Sequence, residues 1–126
     1  MSFPYLKHQS GIYFPIIPLS VSYNNHVEKT SALVDSGATT SIFQISIAKR
    51  LGIDVEKGQP VFMRGVAGRV KGYRHTVEIT VANRIVSAAV IFSEEYLVSL
   101  NLLGRESFFN HFKICFNEKK KVVEVS

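Results

Sequence analysis

The chain has 126 residues, 46% of them hydrophobic and 20% charged, a balance that supports a buried core and excludes a disordered or low-complexity protein. At this length one domain is expected, with roughly a third of the unfolded chain's surface still exposed after folding. The formal net charge of +5 admits an acidic partner but does not require one.

The opening MSFPYLKHQSGIYFP has no uninterrupted apolar core of the signal-peptide kind, and no later stretch approaches the roughly 18 apolar residues of a membrane span. The expected location is therefore the cytoplasm, with no membrane partner. From Ile17, the residues Ile17, Leu19, Val21 and Tyr23 alternate with Pro18, Ser20 and Ser22, the period of a half-buried strand. Asn24 and Asn25 supply a turn, and the chain returns through SALV as a second strand that delivers Asp35 at its far end.

Ser41 followed by Gln44 has the form of a capping box, and Ile42, Ile45, Ala48 and Leu51 follow at helical spacing before Gly52, which predicts a helix over about 41–51. Beyond it VFMRGVAGRVKGY places Gly65, Gly68 and Gly72 between strand-like flanks, as in a long hairpin with GVAG at its tip. Val77, Ile79 and Val81 alternate again, and IVSAAVIF from Ile85 reads as a further strand. LNLLGRESFFNHF sets an apolar run against Gly104 and then offers a brief helix with Phe108, Phe109 and Phe112 near one face. FKICF and KVVEV close the chain as a strand pair around the lysines 119–121, which read as a solvated turn. The pattern is an all-β fold with minor helix.

Candidate chemistry is sparse. Cys115 is the one cysteine, so no intrachain disulfide can form, and its place in FKICF predicts a buried, inert thiol. His8, His26, His75 and His111 lack ligand spacing, and neither a metal nor a cofactor is expected. Arg64, Arg69, Lys71 and Arg74 cluster loosely around the glycines, but without interleaved stacking aromatics they do not predict a nucleic-acid partner. Ser36 has neither a GxSxG elbow nor a neighbouring histidine. DSGATTS is similar to the phosphate-binding turn of sugar kinases and actin-like ATPases, whose two large lobes this chain is too short to build.

Asp35 follows ALV, and an ionised acid after a buried strand must be exposed, capping or held by donors. One reading is a turn aspartate accepting the N–H groups of Gly37 and Ala38. The other is acid–base chemistry, which calls for a second carboxylate. The chain holds two aspartates, Asp35 and Asp54, and Asp54 follows the helix as a solvated loop residue. A partner would therefore be a glutamate of this chain or Asp35 of a second copy.

ALVDSGATTSIF, RGVAG and NLLGRESFF, in this order and separation, resemble a retropepsin-like aspartic protease. The resemblance runs over nearly the whole chain and divides it into an N-terminal extension, 1–13, and a single retropepsin-like domain, 14–126. It implies a closed antiparallel β-fold with one or two short helices. It also implies a homodimer in which Asp35 of each chain forms a catalytic dyad that hydrolyses peptide bonds in a peptide or protein substrate. Ser36 and Gly37 map to the supporting active-site loop, Ala38 and Thr39 to substrate-binding positions beside it, and Gly65, Val66, Ala67 and Gly68 to a flap that closes over substrate. Leu102, Leu103 and Gly104 map to the strand beneath the catalytic loop. Viral members often carry further aspartates after the loop glycine; here Thr39 and Thr40 stand instead, so Arg105 is expected to lack an acidic partner. The alternative function is a dimer of the same fold that binds a peptide or partner without cutting it.

Overall fold

The computed structural model describes residues 1–65, 68–96 and 98–126. Three short strands come first, Ser2–Pro4 (β1), Leu6–Lys7 (β2) and Tyr13–Phe14 (β3), with β2 and β3 paired as a small hairpin. Ile16–Tyr23 (β4) then buries Ile17, Leu19 and Val21 on one face. Asn24 and Asn25 turn the chain at φ 45° and 67°, the positive values that a two-residue type I′ hairpin turn requires. His26–Val34 (β5) returns beside β4, in register from Tyr23↔His26 to Ile16↔Leu33.

Ser41–Gln44 (β6) is a strand, and the helix (α1) covers only Ile45–Arg50. This corrects the predicted capping box. Ser41 is 1% exposed, and β6 pairs in parallel from Ser41↔Val90 to Gln44↔Ser93, so strand pairing outcompetes the local helix signal. Gly52 closes the helix at φ +72°, as expected. A 3₁₀ turn at Val55–Lys57 leads into Gln59–Gly65 (β7), which pairs with Gly68–Val81 (β8) out to Gly65↔Gly68. The long hairpin is therefore present; Val66 and Ala67 of its expected tip lie outside the described residues. On its stem the Arg69 guanidinium sits 3.8 Å from the Phe62 ring centroid, and the Lys71 ammonium lies 5.4 Å from that of Tyr73. Aromatics are thus interleaved with these basic residues, which corrects the premise of the sequence analysis that they are absent.

Arg84–Ser93 (β9) and Asn101–Leu103 (β10) follow, then one wide turn of helix at Arg105–Phe109, and finally Ile114–Asn117 (β11) and Val122–Val125 (β12). The main sheet runs β4-β5-β10-β6-β9-β8-β7, and β4 also pairs with β8, which closes it around the core. β10 lies parallel to β5 and β6 parallel to β9; the other pairings of this sheet are antiparallel. Phe43, Phe92, Phe108, Ile17, Ile47, Leu51 and Leu103 are fully buried inside it. Phe108 also stacks with Phe112 at 4.9 Å between centroids, as the grouping of phenylalanines predicts.

A second sheet, β1-β12-β11, packs Val123 and Val125 inward, and Tyr5 from the N-terminal segment joins the same core. The lysine turn between β11 and β12 is exposed. Cys115 corrects the sequence reading: it is exposed, because it shares the outward face of β11 with Glu124 opposite, while Ile114 and Phe116 lie opposite the buried Val125 and Val123.

Candidate active site

Asp35 stands where β5 ends. Its N–H donates to the Leu103 carbonyl at 3.0 Å, and the preceding Val34 N–H donates to the Pro15 carbonyl at 2.9 Å, so strands on both sides fix the junction. The carboxylate accepts the Gly37 N–H at 2.9 Å on Oδ1, and the Asp35 carbonyl accepts the Ala38 N–H at 3.2 Å. A side chain at Gly37 would bring its Cβ to 3.2 Å from Oδ1, tighter than an ordinary contact, which is why glycine suits the loop. The Gly37 bond bears out half of the turn-cap reading, and the Ala38 N–H goes to the Asp35 carbonyl instead of the carboxylate; together the bonds hold the acid half-buried rather than loose in solvent. Ser36 and Gly37 are exposed beside it.

Beneath the loop, β10 threads between β5 and β6, with Leu102 opposite both Leu33 and Ile42. Gly104 ends β10 in close contact with the loop: a Cβ there would lie 2.3 Å from the Thr40 carbonyl oxygen and 3.0 Å from that of Ala38. Next along the chain, the Arg105 N–H donates to the Ala38 carbonyl at 2.9 Å and the Glu106 N–H to the Thr39 carbonyl at 2.8 Å. Arg105 Nη2 donates to Thr39 Oγ1 at 3.4 Å, so the threonine supplies an acceptor where an aspartate was noted as missing. Ala38 and Thr39 are thus clamped to the chain after β10.

Two buried polar residues hold this platform, and neither stood out in the sequence as a site residue. Ser41 Oγ accepts the Gly104 N–H at 2.9 Å and hydrogen-bonds the Ser107 hydroxyl. Asn101, 3% exposed, accepts the Gln44 N–H at 2.8 Å and donates to Thr30 Oγ1 and the Ser31 carbonyl at 3.1 and 3.0 Å, joining β5, β6 and β10. The one available signal was a lone amide inside an apolar run.

Asp35 and Ser36 open onto a shallow depression of about 320 Å³ that Pro15, Phe116 and Glu118 also line. Glu118 is the other carboxylate there among the described residues, a neighbour concealed by its place 83 positions further along the chain. Its oxygens are engaged: Oε1 accepts from the Tyr5 hydroxyl at 3.3 Å and Oε2 pairs with Lys121 at 3.0 Å. Asp54 does not line this depression; it is exposed and pairs with Lys57 across 3.7 Å. Tyr96 is the other group that feels Asp35. Burial pushes its hydroxyl pKa up, the Asp35 charge pushes it further, and the hydroxyl donates to the Leu100 carbonyl at 2.7 Å. Among the described residues no three His, Cys, Asp or Glu side chains gather as a metal site.

The structure therefore joins Asp35, Ser36, Gly37, Ala38 and Thr39 in one braced loop and places Gly65 and Gly68 opposite one another at the end of the β7–β8 hairpin. The family model described as "Aspartyl protease" matches residues 19–106. Solved structures share the fold, two of them as follows. A retropepsin-like aspartic protease from Rickettsia conorii is 19% identical, with a TM-score of 0.69 over 98% of this chain and 97% of that one. The EIAV protease complexed with the inhibitor HBY-793 is also 19% identical, with a TM-score of 0.59 over 80% of this chain and 89% of the other. No curated protein matches the sequence.

Proposed function

Because the chain belongs to the aspartyl protease family, we propose that it is an aspartic endopeptidase in which two copies each contribute Asp35 to one catalytic dyad. The observation that carries this reading is the state of the acids around the depression. Asp35 is braced by strand bonds and open to solvent, while Glu118, the one other carboxylate lining it among the described residues, has both oxygens committed. A second acid of matching geometry comes from a second copy.

Two carboxylates a few ångströms apart cannot both ionise, so the pair holds one proton and titrates as a unit. The ionised Asp35 takes a proton from a water between the two, the water attacks the peptide carbonyl, and the protonated Asp35 hydrogen-bonds the oxyanion that forms. Collapse of the tetrahedral intermediate transfers a proton to the departing amine. No covalent enzyme intermediate forms, and water is the one co-reactant. The Gly37 N–H bond to Oδ1 orients the carboxylate, and the Ser36 hydroxyl links the two loops across the dimer axis. Ala38 and Thr39 line the substrate backbone on one side. The hairpin carrying Gly65, Val66, Ala67 and Gly68 closes over it on the other, excluding water and fixing orientation.

Asp35→Asn tests the reading. Asparagine retains an oxygen for the Gly37 N–H, so the fold and the dimer persist while the proton acceptor is lost. Peptide-library cleavage between pH 4 and 7 is expected to fall by at least about 10²–10⁴-fold. The wild-type rate should trace a bell in pH, set by the two apparent values of the dyad. Unchanged turnover in the asparagine variant would refute the assignment.

A further inference from the structure

The long β7–β8 hairpin leaves the body of the protein at a defined residue. β8 pairs with β9 as far as Tyr73↔Phe92, and from Gly72 to Gly68 its strand partner among the described residues is β7 alone. At this handover side chains take the place of a neighbouring strand. The Ser93 hydroxyl donates to the Lys71 carbonyl at 2.5 Å, and Glu95 Oε1 accepts the Lys71 N–H at 3.1 Å. Ser93 is 2% exposed, and its oxygen also accepts the Glu95 N–H at 3.1 Å, so the two residues brace each other. Both backbone groups of Lys71 are thus gripped from a single turn.

The next residue supplies a fulcrum. A side chain at Gly72 would bring its Cβ to 2.4 Å from Ile91 Cγ2 and 3.3 Å from Met63 Cε, so the strand lies directly on the buried Ile91. Beyond this point the hairpin carries Phe62, Arg64 and Arg69 in the open. The turn that grips Lys71 also runs on into Tyr96, whose hydroxyl is fixed on the Leu100 carbonyl and feels the Asp35 charge. One short segment, 93–96, therefore meets the root of the hairpin at one end and the surroundings of the acid at the other.

We propose that Ser93 and Glu95 are positioning residues that clamp the root of the β7–β8 hairpin at Lys71 and set the angle at which its tip meets a substrate over Asp35. This rests on the reading of the chain as an aspartic endopeptidase whose hairpin closes over the peptide. A clamped hairpin has fewer orientations to give up when it closes. Closure grips substrate and transition state alike, so loosening the clamp raises KM and leaves kcat in place. Glu95 works through an acceptor oxygen rather than through its charge.

Glu95→Ala removes that acceptor, Glu95→Gln restores it as an uncharged amide oxygen, and Ser93→Ala removes the donor to the Lys71 carbonyl. Peptide KM is expected to rise about fivefold in Glu95→Ala, with kcat within about twofold of wild type, and to return to the wild-type value in Glu95→Gln. Ser93→Ala should raise KM in the same way; if it fails to fold, the two glutamate variants decide. Amide hydrogen exchange at Lys71 should quicken by a similar factor in Glu95→Ala and not in Glu95→Gln. A folded Glu95→Ala variant with wild-type KM overturns the proposal, as does a raised KM that Glu95→Gln leaves raised. The two readings fail differently. Wild-type protein with no Asp35-dependent cleavage removes the protease reading, and the clamp loses its role with it. Asp35-dependent cleavage with a KM indifferent to Glu95 keeps the protease reading and removes the clamp.

Discussion

Replacing Gly104 with alanine isolates what the platform does for the acid. The backbone is not the obstacle, because φ is −103°, a value any residue adopts. Space is the obstacle: the new Cβ would lie 2.3 Å from the Thr40 carbonyl oxygen and 2.5 Å from its carbon. Restoring ordinary contact requires the 38–40 backbone to retreat by roughly 1 Å. That retreat stretches the Arg105 N–H to Ala38 and Glu106 N–H to Thr39 bonds, now 2.9 and 2.8 Å, beyond useful length. Two bonds at about 1 kcal/mol each, with overpacking of about 1–3 kcal/mol, give a loss of roughly 3–5 kcal/mol. The melting temperature should fall by roughly 10–20 °C. Asp35 lies three residues upstream of Ala38, so its carboxylate shifts with the loop, and a displacement of about 1 Å lowers kcat/KM by about 10²-fold. Urea denaturation and peptide cleavage measure the two effects. A Gly104→Ala variant with wild-type midpoint and wild-type cleavage would show that the loop does not depend on this contact.

Glu118→Gln keeps the Tyr5 contact and loses the Lys121 pair, so cleavage should survive, with stability changed by less than about 1 kcal/mol because the pair is exposed; loss of cleavage would make Glu118 the in-chain partner of Asp35. Asn101→Ala strands the buried Gln44 N–H and Ser31 carbonyl and should cost about 2–4 kcal/mol in urea titration, and a cost near zero would remove its role as the tie between β5, β6 and β10. Tyr96 and Tyr5 both ionise above the ordinary 10.0, each chiefly through burial. A tyrosine whose folded pKa is raised holds its proton more tightly when folded, so its contribution to stability is complete below pH 10 and is lost as pH rises through the folded value. Asp35→Asn removes the second cause at Tyr96, whose absorbance titration should shift down toward pH 10; an unshifted titration would separate the two groups.

The local alternations were enough to mark β4, β5, β8 and β9, because period-two burial and the Asn24–Asn25 turn depend on near neighbours. The loop ALVDSGATTSIF, the glycine pair Gly65 and Gly68, and NLLG were legible as three ordered motifs through their resemblance to the retropepsin-like family. Where long-range pairing competes with local preference, the sequence misleads. Ser41 and Gln44 carry a helix-start signal, yet β9 and β10 capture them into a strand, and Ser41 spends its hydroxyl on Gly104. Cys115 sits in an apolar run, yet only the tertiary structure decides that its face of β11 is the outer one.

The sequence by itself determined that this chain has one Asp-Ser-Gly, so the proposed dyad takes its second acid from outside that motif. Only the tertiary structure decided what surrounds that acid. It brought Glu118 and Tyr96 to Asp35 and committed Glu118 to Tyr5 and Lys121. Such meetings depend on how the sheet closes, and no spacing along the chain encodes them.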